Sequence, residues 1–225
     1  MGGKNHQPCN QYLEMSTKLS RSLSLAQAEL ELGNVALEDV ILAELDGESK
    51  SLAASIGRLA LSSAYLRDAN VHCRQLSSRV KSGETISTPT AWDWKSVGAN
   101  LVGRGLISSD SWNIVTRIRR ESGFQSVLSF FIEQIDGLIS LTEQLSREMT
   151  ALQSIVNQGG IGASVNVVLE YNCPGNIKET FARLYTAWAG FNQLFLASAM
   201  CSTELWYAHS NCGSLVGESQ VAASA

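Results

Sequence analysis

Apolar residues recur between positions 124 and 156 at alternating separations of four and three, and only Thr142 interrupts the series. A strand repeats every two residues, so this period excludes a strand and predicts one uninterrupted helix with a single apolar seam. At a rise of about 1.5 Å per residue, the helix would be about 50 Å long. The seam consists of Phe124, Leu128, Phe131, Ile135, Leu138, Thr142, Leu145, Met149, Leu152 and Val156.

The same spacing, with more interruptions, predicts three further long helices. The first covers Asn10–Leu45 and the second Glu48–Lys81. A turn of about two residues between them would make them antiparallel neighbours. Gly33 and Asn34 interrupt the first helix, either as a kink or as a stop followed by a new start capped by Asn34. The last helix covers Asn176–His209 and begins with a capping box.

The segment Ser82–Ser109, between the second and third long helices, is rich in Gly, Ser and Thr and has no clear period. A short helix is predicted within it, over Trp92–Val102. Asp110 or Ser109 is expected to cap another short helix. Gly123 would separate that helix from the apolar seam.

Together these elements predict an all-α fold, an antiparallel bundle of about four long helices, some of them broken, with short connecting helices. A chain of 225 residues is long enough for one large domain. We expect the bundle at residues 10–210, a flexible N-terminus at 1–9 and a flexible C-terminal tail at 211–225.

Composition narrows the classes of function. Charged residues make up only 17% of the chain, below the usual value of about 25%, and the net charge is −4. An acidic chain has no overall attraction to nucleic acid, so we expect no nucleic-acid partner. The five cysteines are odd in number and irregularly spaced, and the N-terminus is polar. This pattern predicts reduced thiols and a cytoplasmic protein.

Candidate catalytic and metal-binding motifs are weak. The three histidines are His6, His72 and His209, and none follows a carboxylate at the Glu-x-x-His spacing of di-iron bundles. His72 and Cys73 are adjacent on a helix, so their side chains would point about 100° apart and could not act as a pair. We therefore expect no cofactor, no metal and no enzymatic activity.

The strongest candidate for a binding site is the region between the second and third long helices. Its aromatic residues are expected either to close one end of the bundle or to bind a partner, since Trp is enriched at binding hot spots. Its basic residues are expected either to form a solvated face or to hold an acidic partner. The candidate residues are Trp92, Trp94, Trp112, Arg117, Arg119 and Arg120.

The segment 184–203 contains no charged residue. Its lack of charge is typical of a helix at the centre of a large bundle. The alternative is a membrane-active or apolar-ligand-binding bundle that uses this segment, although Asn192 and Gln193 would be costly in a bilayer. The residues that would carry this alternative are Phe181, Trp188, Phe191 and Phe195.

The second helix has few charges, and its flanks are rich in small residues. Small residues allow helices to approach closely, so these flanks indicate either a bundle of more than four helices or burial against a second copy, and an uncharged flank is typical of an interface. The leading hypothesis is therefore an interaction or assembly module that self-associates or binds a helical protein partner. The small residues concerned are Ala53, Ala54, Ser55, Ala60, Ser62, Ser63 and Ala64.

Overall fold

A computed structural model describes residues 7–45, 51–81, 94–159 and 177–200, together with Leu205 and His209. All six elements within these residues are helices, and these residues form no strand. The all-α prediction is therefore confirmed for this part of the chain. The helices are α1 (Gln7–Leu45), α2 (Ala53–Lys81), α3 (Trp94–Gly103), α4 (Ser109–Ser122), α5 (Phe124–Gly159) and α6 (Ile177–Met200).

The apolar seam lies on one continuous helix, α5, as its period predicts. Each of its members whose side chain the structure describes is buried. Thr142 is accommodated because its hydroxyl donates to the carbonyl of Leu138, one turn earlier, at 2.8 Å. The buried members of the seam are Leu128, Phe131, Ile135, Leu138, Thr142, Leu145, Met149 and Leu152.

The predicted stop of the first helix at Gly33 and new start at Asn34 are wrong, because α1 continues through both residues. Gly33 is buried, and a Cβ atom placed on it would lie 3.4 Å from the Cβ of Arg58. The missing side chain therefore lets α2 approach closely. This packing offsets the cost of about 1 kcal/mol that glycine brings to a helix interior.

Helix boundaries differ from the predicted ones at several points. Helix α1 begins at Gln7, three residues earlier than predicted, and α3 ends one residue later than predicted, at Gly103. The cap of α4 is Ser108, not Ser109 or Asp110, because the Ser108 hydroxyl accepts the backbone N–H of Ser111. Gly123 ends α4 as predicted, with φ of 77°. The predicted turn at positions 46–47, the cap of α6 and both chain termini lie outside the described residues.

The chain forms two compact units, and each of the four long helices contributes a segment to both. Among the described residues, the first unit comprises 7–24, 67–81, 94–136 and 188–200 with Leu205 and His209, and the second comprises 25–45, 51–66, 137–159 and 177–187.

In the second unit, buried serines join α2 to α1. The hydroxyl of Ser55 donates to the carbonyl of Gly33, and that of Ser62 donates to the carbonyl of Ala26, each at 2.6 Å. The two helices therefore run in opposite directions in this unit. Both serines, which the sequence placed on a flank suited to an interface, are fully buried against α1 of the same copy and cannot contact a partner. Their small side chains are what allow the close contact.

Helix α2 also packs against α5 in the second unit. The backbone N–H of Leu52 donates to Gln153 at 2.6 Å, and the hydroxyl of Ser63 donates to Glu143 at 3.2 Å. Residue numbers again rise along one helix and fall along the other, so this pair is antiparallel as well.

Aromatic rings fill the core of the first unit. The ring centroid of Phe131, on α5, lies 5.1 Å from that of Phe191 and 4.9 Å from that of Phe195, both on α6. Trp188 meets Phe191 edge to face, with centroids 5.7 Å apart. All four rings are at most 3% exposed.

Only the second half of α6 fits the expectation of a central helix, since none of residues 191–200 is exposed. Its first half has an exposed face that ends at Gly190 and contains mostly small, polar or charged residues, which tolerate water. The absence of charge in this segment therefore did not mean complete burial. The exposed residues are Glu179, Ala182, Arg183, Tyr185, Thr186, Ala189 and Gly190.

Candidate functional site

Helices α3 and α4 form a corner in the first unit. The turn between them needs Gly105, which adopts φ of 73°, a value that favours glycine. Its N–H donates to the carbonyl of Val102 at 2.9 Å, and the N–H of Leu106 donates to that of Leu101 at the same distance. These bonds satisfy the last carbonyls of α3 and set the direction in which α4 leaves the turn.

The start of α4 is anchored to α6. Ser108 caps the helix through its hydroxyl, and its backbone N–H donates to the side-chain oxygen of Gln193 at 2.8 Å. Gln193 positions α4 through this hydrogen bond, although its amide would be costly in a membrane. The polar residue in the uncharged segment therefore has a structural role.

Trp112 lies at the centre of this corner. One side of its indole packs on a core cluster of the first unit, formed by Ile107, Val115, Val127, Ala197 and Met200. The other side lies against α3 at Gly98, where a Cβ atom would come within 1.9 Å of the indole. The indole is half-buried, so it is part of both the core and the surface.

Basic side chains surround the exposed edge of this indole. Lys95, Thr116, Arg119, Arg120 and Trp112 line a groove of about 590 Å³, and we refer to these five residues as the α4 surface. Within the part of the chain that the structure describes, Arg120 makes a long ion pair with its neighbour Glu121, at 3.7 Å. An exposed pair of this kind contributes little to stability, so it leaves the guanidinium able to bind other groups.

The electrostatic character of this corner is opposite to that of the whole chain. Residues 94–123 contain five basic and two acidic residues, whereas the net charge of the chain is −4. Guanidinium groups bind carboxylates and phosphates through paired, charge-assisted hydrogen bonds, and an adjacent indole adds apolar contact area. The α4 surface therefore fits an anionic group that is attached to an apolar one.

The structure brings three of the six candidate residues together, namely Trp112, Arg119 and Arg120. Arg117 lines an adjoining groove of about 540 Å³, beside Asp110. The side chains of Trp92 and Trp94 lie outside the described residues. Sequence reasoning missed Lys95, which belongs to the site only because α3 folds back beside α4.

Gly98→Ala tests whether the packing of the Trp112 indole against Gly98 shapes the α4 surface. The added methyl group would overlap the indole, so we expect the indole to move out of its position and become more exposed. The expected result is a red shift of tryptophan emission and increased quenching by iodide.

Gly103→Ala is the matched control for this substitution, because it adds the same methyl group to the same helix where no atom lies within 4 Å. Its emission spectrum should match that of the wild type. Equal shifts for both variants would show that the close approach of Gly98 to Trp112 has no special role.

A second exposed surface lies on α1, in the second unit. Six residues on one side of this helix are exposed, three of them apolar and three acidic. Leu32, Val35 and Leu42 are 46%, 52% and 59% exposed, which is unusual for large apolar residues. We refer to the six residues as the α1 face: Glu31, Leu32, Val35, Glu38, Asp39 and Leu42.

A groove of about 540 Å³ runs beside the α1 face, between α1 and α6. It is lined by Glu38 and Leu42 of the α1 face and by Phe181 and Tyr185 of α6, among others. Burial, and then the charges of Glu31 and Glu38, raise the pKa of Tyr185 to about 12. The carboxylates of Glu31 and Glu38 therefore contribute a negative potential near Tyr185, in addition to the effect of burial.

Sequence reasoning missed the α1 face, although a signal was present. Residues 22–45 contain five acidic and no basic residues, and Leu32, Val35 and Leu42 lie off the apolar seam of α1. Off-seam leucine and valine beside a run of carboxylates indicate a second apolar stripe on the same helix.

The aromatic residues of the membrane-active or ligand-binding alternative are in the interior. Phe181, in the second unit, is 4% exposed, and in the first unit Trp188 is 3%, Phe191 2% and Phe195 0% exposed. No helix within the described ranges combines the length and apolar character needed to cross a bilayer.

Reactive groups are sparse in the part of the chain that the structure describes. It contains no group of three or more His, Cys, Asp or Glu side chains that could hold a metal ion. Burial raises the pKa of the Cys73 thiol to about 12, so this cysteine stays protonated and is a poor nucleophile. His209 packs edge to face on Phe195, and burial lowers the pKa of its imidazole.

No protein-family model, curated protein or solved structure matches this chain.

Proposed function

We propose that this chain is a non-enzymatic interaction module of the cytoplasm, which binds a protein partner, either another copy or a helical protein, through exposed helix faces. Its principal contact is the α4 surface, and its partner presents carboxylates beside apolar side chains. The observation that carries this proposal is the concentration of positive charge around a half-buried indole in an otherwise acidic chain.

The proposed architecture is an antiparallel bundle of four long helices, α1, α2, α5 and α6. In the second unit, α2 is antiparallel to both α1 and α5, and Thr180 of α6 donates to Glu148 of α5 at 2.8 Å. A bundle of this kind presents exposed helix faces on a rigid core, which suits recognition by shape and charge.

An acidic helical peptide can test the role of the α4 surface. The probe is a fluorescein-labelled 15-residue peptide of Glu and Leu, and its binding is measured by fluorescence anisotropy at low protein concentration. R119E/R120E should weaken binding at least about tenfold, because like charges then face each other across the contact. Binding to the wild type should weaken as NaCl is raised, since salt screens exposed charges.

R147E/R183E is the matched control, since it makes the same change in net charge with two exposed arginines on α5 and α6. It should bind the probe nearly as tightly as the wild type. Equal weakening by both variants would contradict the proposal, as would equal affinity for a Lys–Leu peptide. Tighter binding of a 20-base-pair DNA duplex would show that the α4 surface recognises phosphate instead.

A further inference from the structure

We propose that the α4 surface of one copy of this chain binds the α1 face of a second copy. This inference rests on the proposed function and names the partner: the carboxylates and apolar side chains that the α4 surface fits are those of the chain itself.

Charge complementarity supports this pairing. The α4 surface lies in a segment with five basic and two acidic residues, whereas residues 22–45 of α1 contain five acidic and no basic residues. Within the described residues, Glu31 and Glu38 of the α1 face accept side-chain hydrogen bonds from Gln27 and Asn34 of their own helix. No basic side chain is paired with either carboxylate in these contacts, so both can meet guanidinium groups of a partner.

The apolar parts of the two surfaces are also complementary. On α1, Leu32, Val35 and Leu42 form a stripe of exposed apolar side chains, and an exposed apolar patch is typical of an interaction site. On the α4 surface, the indole of Trp112 supplies apolar area, and Val97 of the neighbouring α3 is 37% exposed. Apolar contact at the centre with ion pairs around it is the arrangement of specific protein interfaces.

The proposed contact joins two different surfaces, so each copy carries both of them: an α4 surface and an α1 face that can each bind another copy. Arrangements of this type build closed rings or open chains, or a symmetric pair in which the contact occurs twice. Charge reversal can therefore be tested separately on each surface, and the two reversals can then be recombined.

The experiment measures the mass of the full chain by sedimentation equilibrium at several concentrations. The wild type should exceed its monomer mass of 24.3 kDa at low salt and approach that mass as NaCl is raised. E38K/D39K reverses the α1 face and R119E/R120E reverses the α4 surface. Each variant alone should weaken self-association at least about tenfold, because like charges then meet.

Recombination of the two reversals distinguishes pairing from damage to the fold. An equimolar mixture of E38K/D39K and R119E/R120E should associate, because each intact surface finds its intact complement on the other variant. The chain with all four substitutions should self-associate again, because its α1 face is then basic and its α4 surface acidic, so opposite charges meet once more. A misfolded variant would recover in neither case, and circular dichroism at 222 nm would report the misfolding.

Two matched controls make the same changes in net charge at exposed positions elsewhere: D68K/E133K for the α1 face and R147E/R183E for the α4 surface. Both should associate like the wild type. Equal loss in these controls would overturn the inference, because net charge alone would then govern association.

Other results would overturn the pairing itself. A wild type that stays monomeric at all concentrations, while the Glu–Leu peptide binds and R119E/R120E abolishes binding, would refute self-recognition and leave the proposed function standing. Loss of association by R119E/R120E but not by E38K/D39K would show that the α4 surface binds a region of the second copy other than the α1 face. A chain that neither associates nor binds the peptide would refute both proposals.

Discussion

Phe131→Ala is expected to lower the free energy of unfolding by about 3–5 kcal/mol, the largest effect of any single substitution considered. The Phe131 ring is fully buried and lies within 5.1 Å of the ring centroids of both Phe191 and Phe195. Its removal leaves a cavity between α5 and α6 that two large rings cannot fill without moving. Urea denaturation followed by circular dichroism at 222 nm measures this loss.

Two comparisons separate the role of this ring from a general effect of truncation. Phe131→Leu retains most of the apolar volume and should cost less than Phe131→Ala. Val71→Ala removes apolar atoms from a side chain that is 51% exposed and should change stability by no more than about 0.5 kcal/mol. A loss for Phe131→Ala as small as that for Val71→Ala would be inconsistent with an aromatic core at this position.

Ser62→Leu should destabilise the protein by about 1–3 kcal/mol, although it replaces a buried polar side chain with an apolar one. The Ser62 hydroxyl lies 2.6 Å from the carbonyl oxygen of Ala26, so a larger side chain has no room between α1 and α2. The helices would have to separate or rotate to accept it. Chemical denaturation gives the free energy, and a lower melting temperature should accompany the loss.

Two further variants test this reason for the effect of Ser62→Leu. Ser62→Ala removes the hydrogen bond without adding volume and should cost about 0.5–1.5 kcal/mol. Ala60→Leu adds a larger side chain at an exposed position of the same helix and should be nearly neutral. Stability unchanged by Ser62→Leu would mean that α1 and α2 are not in close contact at this point.

Helix type and core-facing positions could be predicted where the period is long and regular. The seam of α5 recurs over nine intervals, so a single polar residue such as Thr142 could not obscure it. Interruptions were harder to interpret. Gly33 favours a break by its intrinsic preference, yet it lies mid-helix because α2 packs against its open side.

The serines of α2 show the same difficulty. A polar side chain in a sequence suggests an exposed face, but a serine hydroxyl can donate to a carbonyl of a neighbouring helix and be buried at little cost. Ser55 and Ser62 do so, and the acceptors lie on α1, 22 and 36 positions away. Because the acceptor carbonyl lies on another helix, no local sequence pattern around the serine could identify it.

The part of the candidate site that lies on one helix could be predicted from the sequence, whereas the part contributed by other helices could not. Trp112, Arg119 and Arg120 lie within nine consecutive positions on one helix, so sequence proximity already placed them together. Lys95 and Gly98 join them from α3, and Gln193 anchors the corner from α6. These residues are brought near only by the fold.

The amino-acid pattern alone determined the helical class, the buried seams and the local cluster of Trp and Arg, because a helix repeats every 3.6 residues and its own neighbours lie three or four positions apart. Only the tertiary structure decided that Gly33 stays within a helix, that the α2 serines are buried and that Leu32, Val35 and Leu42 remain exposed beside carboxylates. Whether a side chain is covered depends on which helix lies opposite it, and that neighbour is set by packing between distant segments.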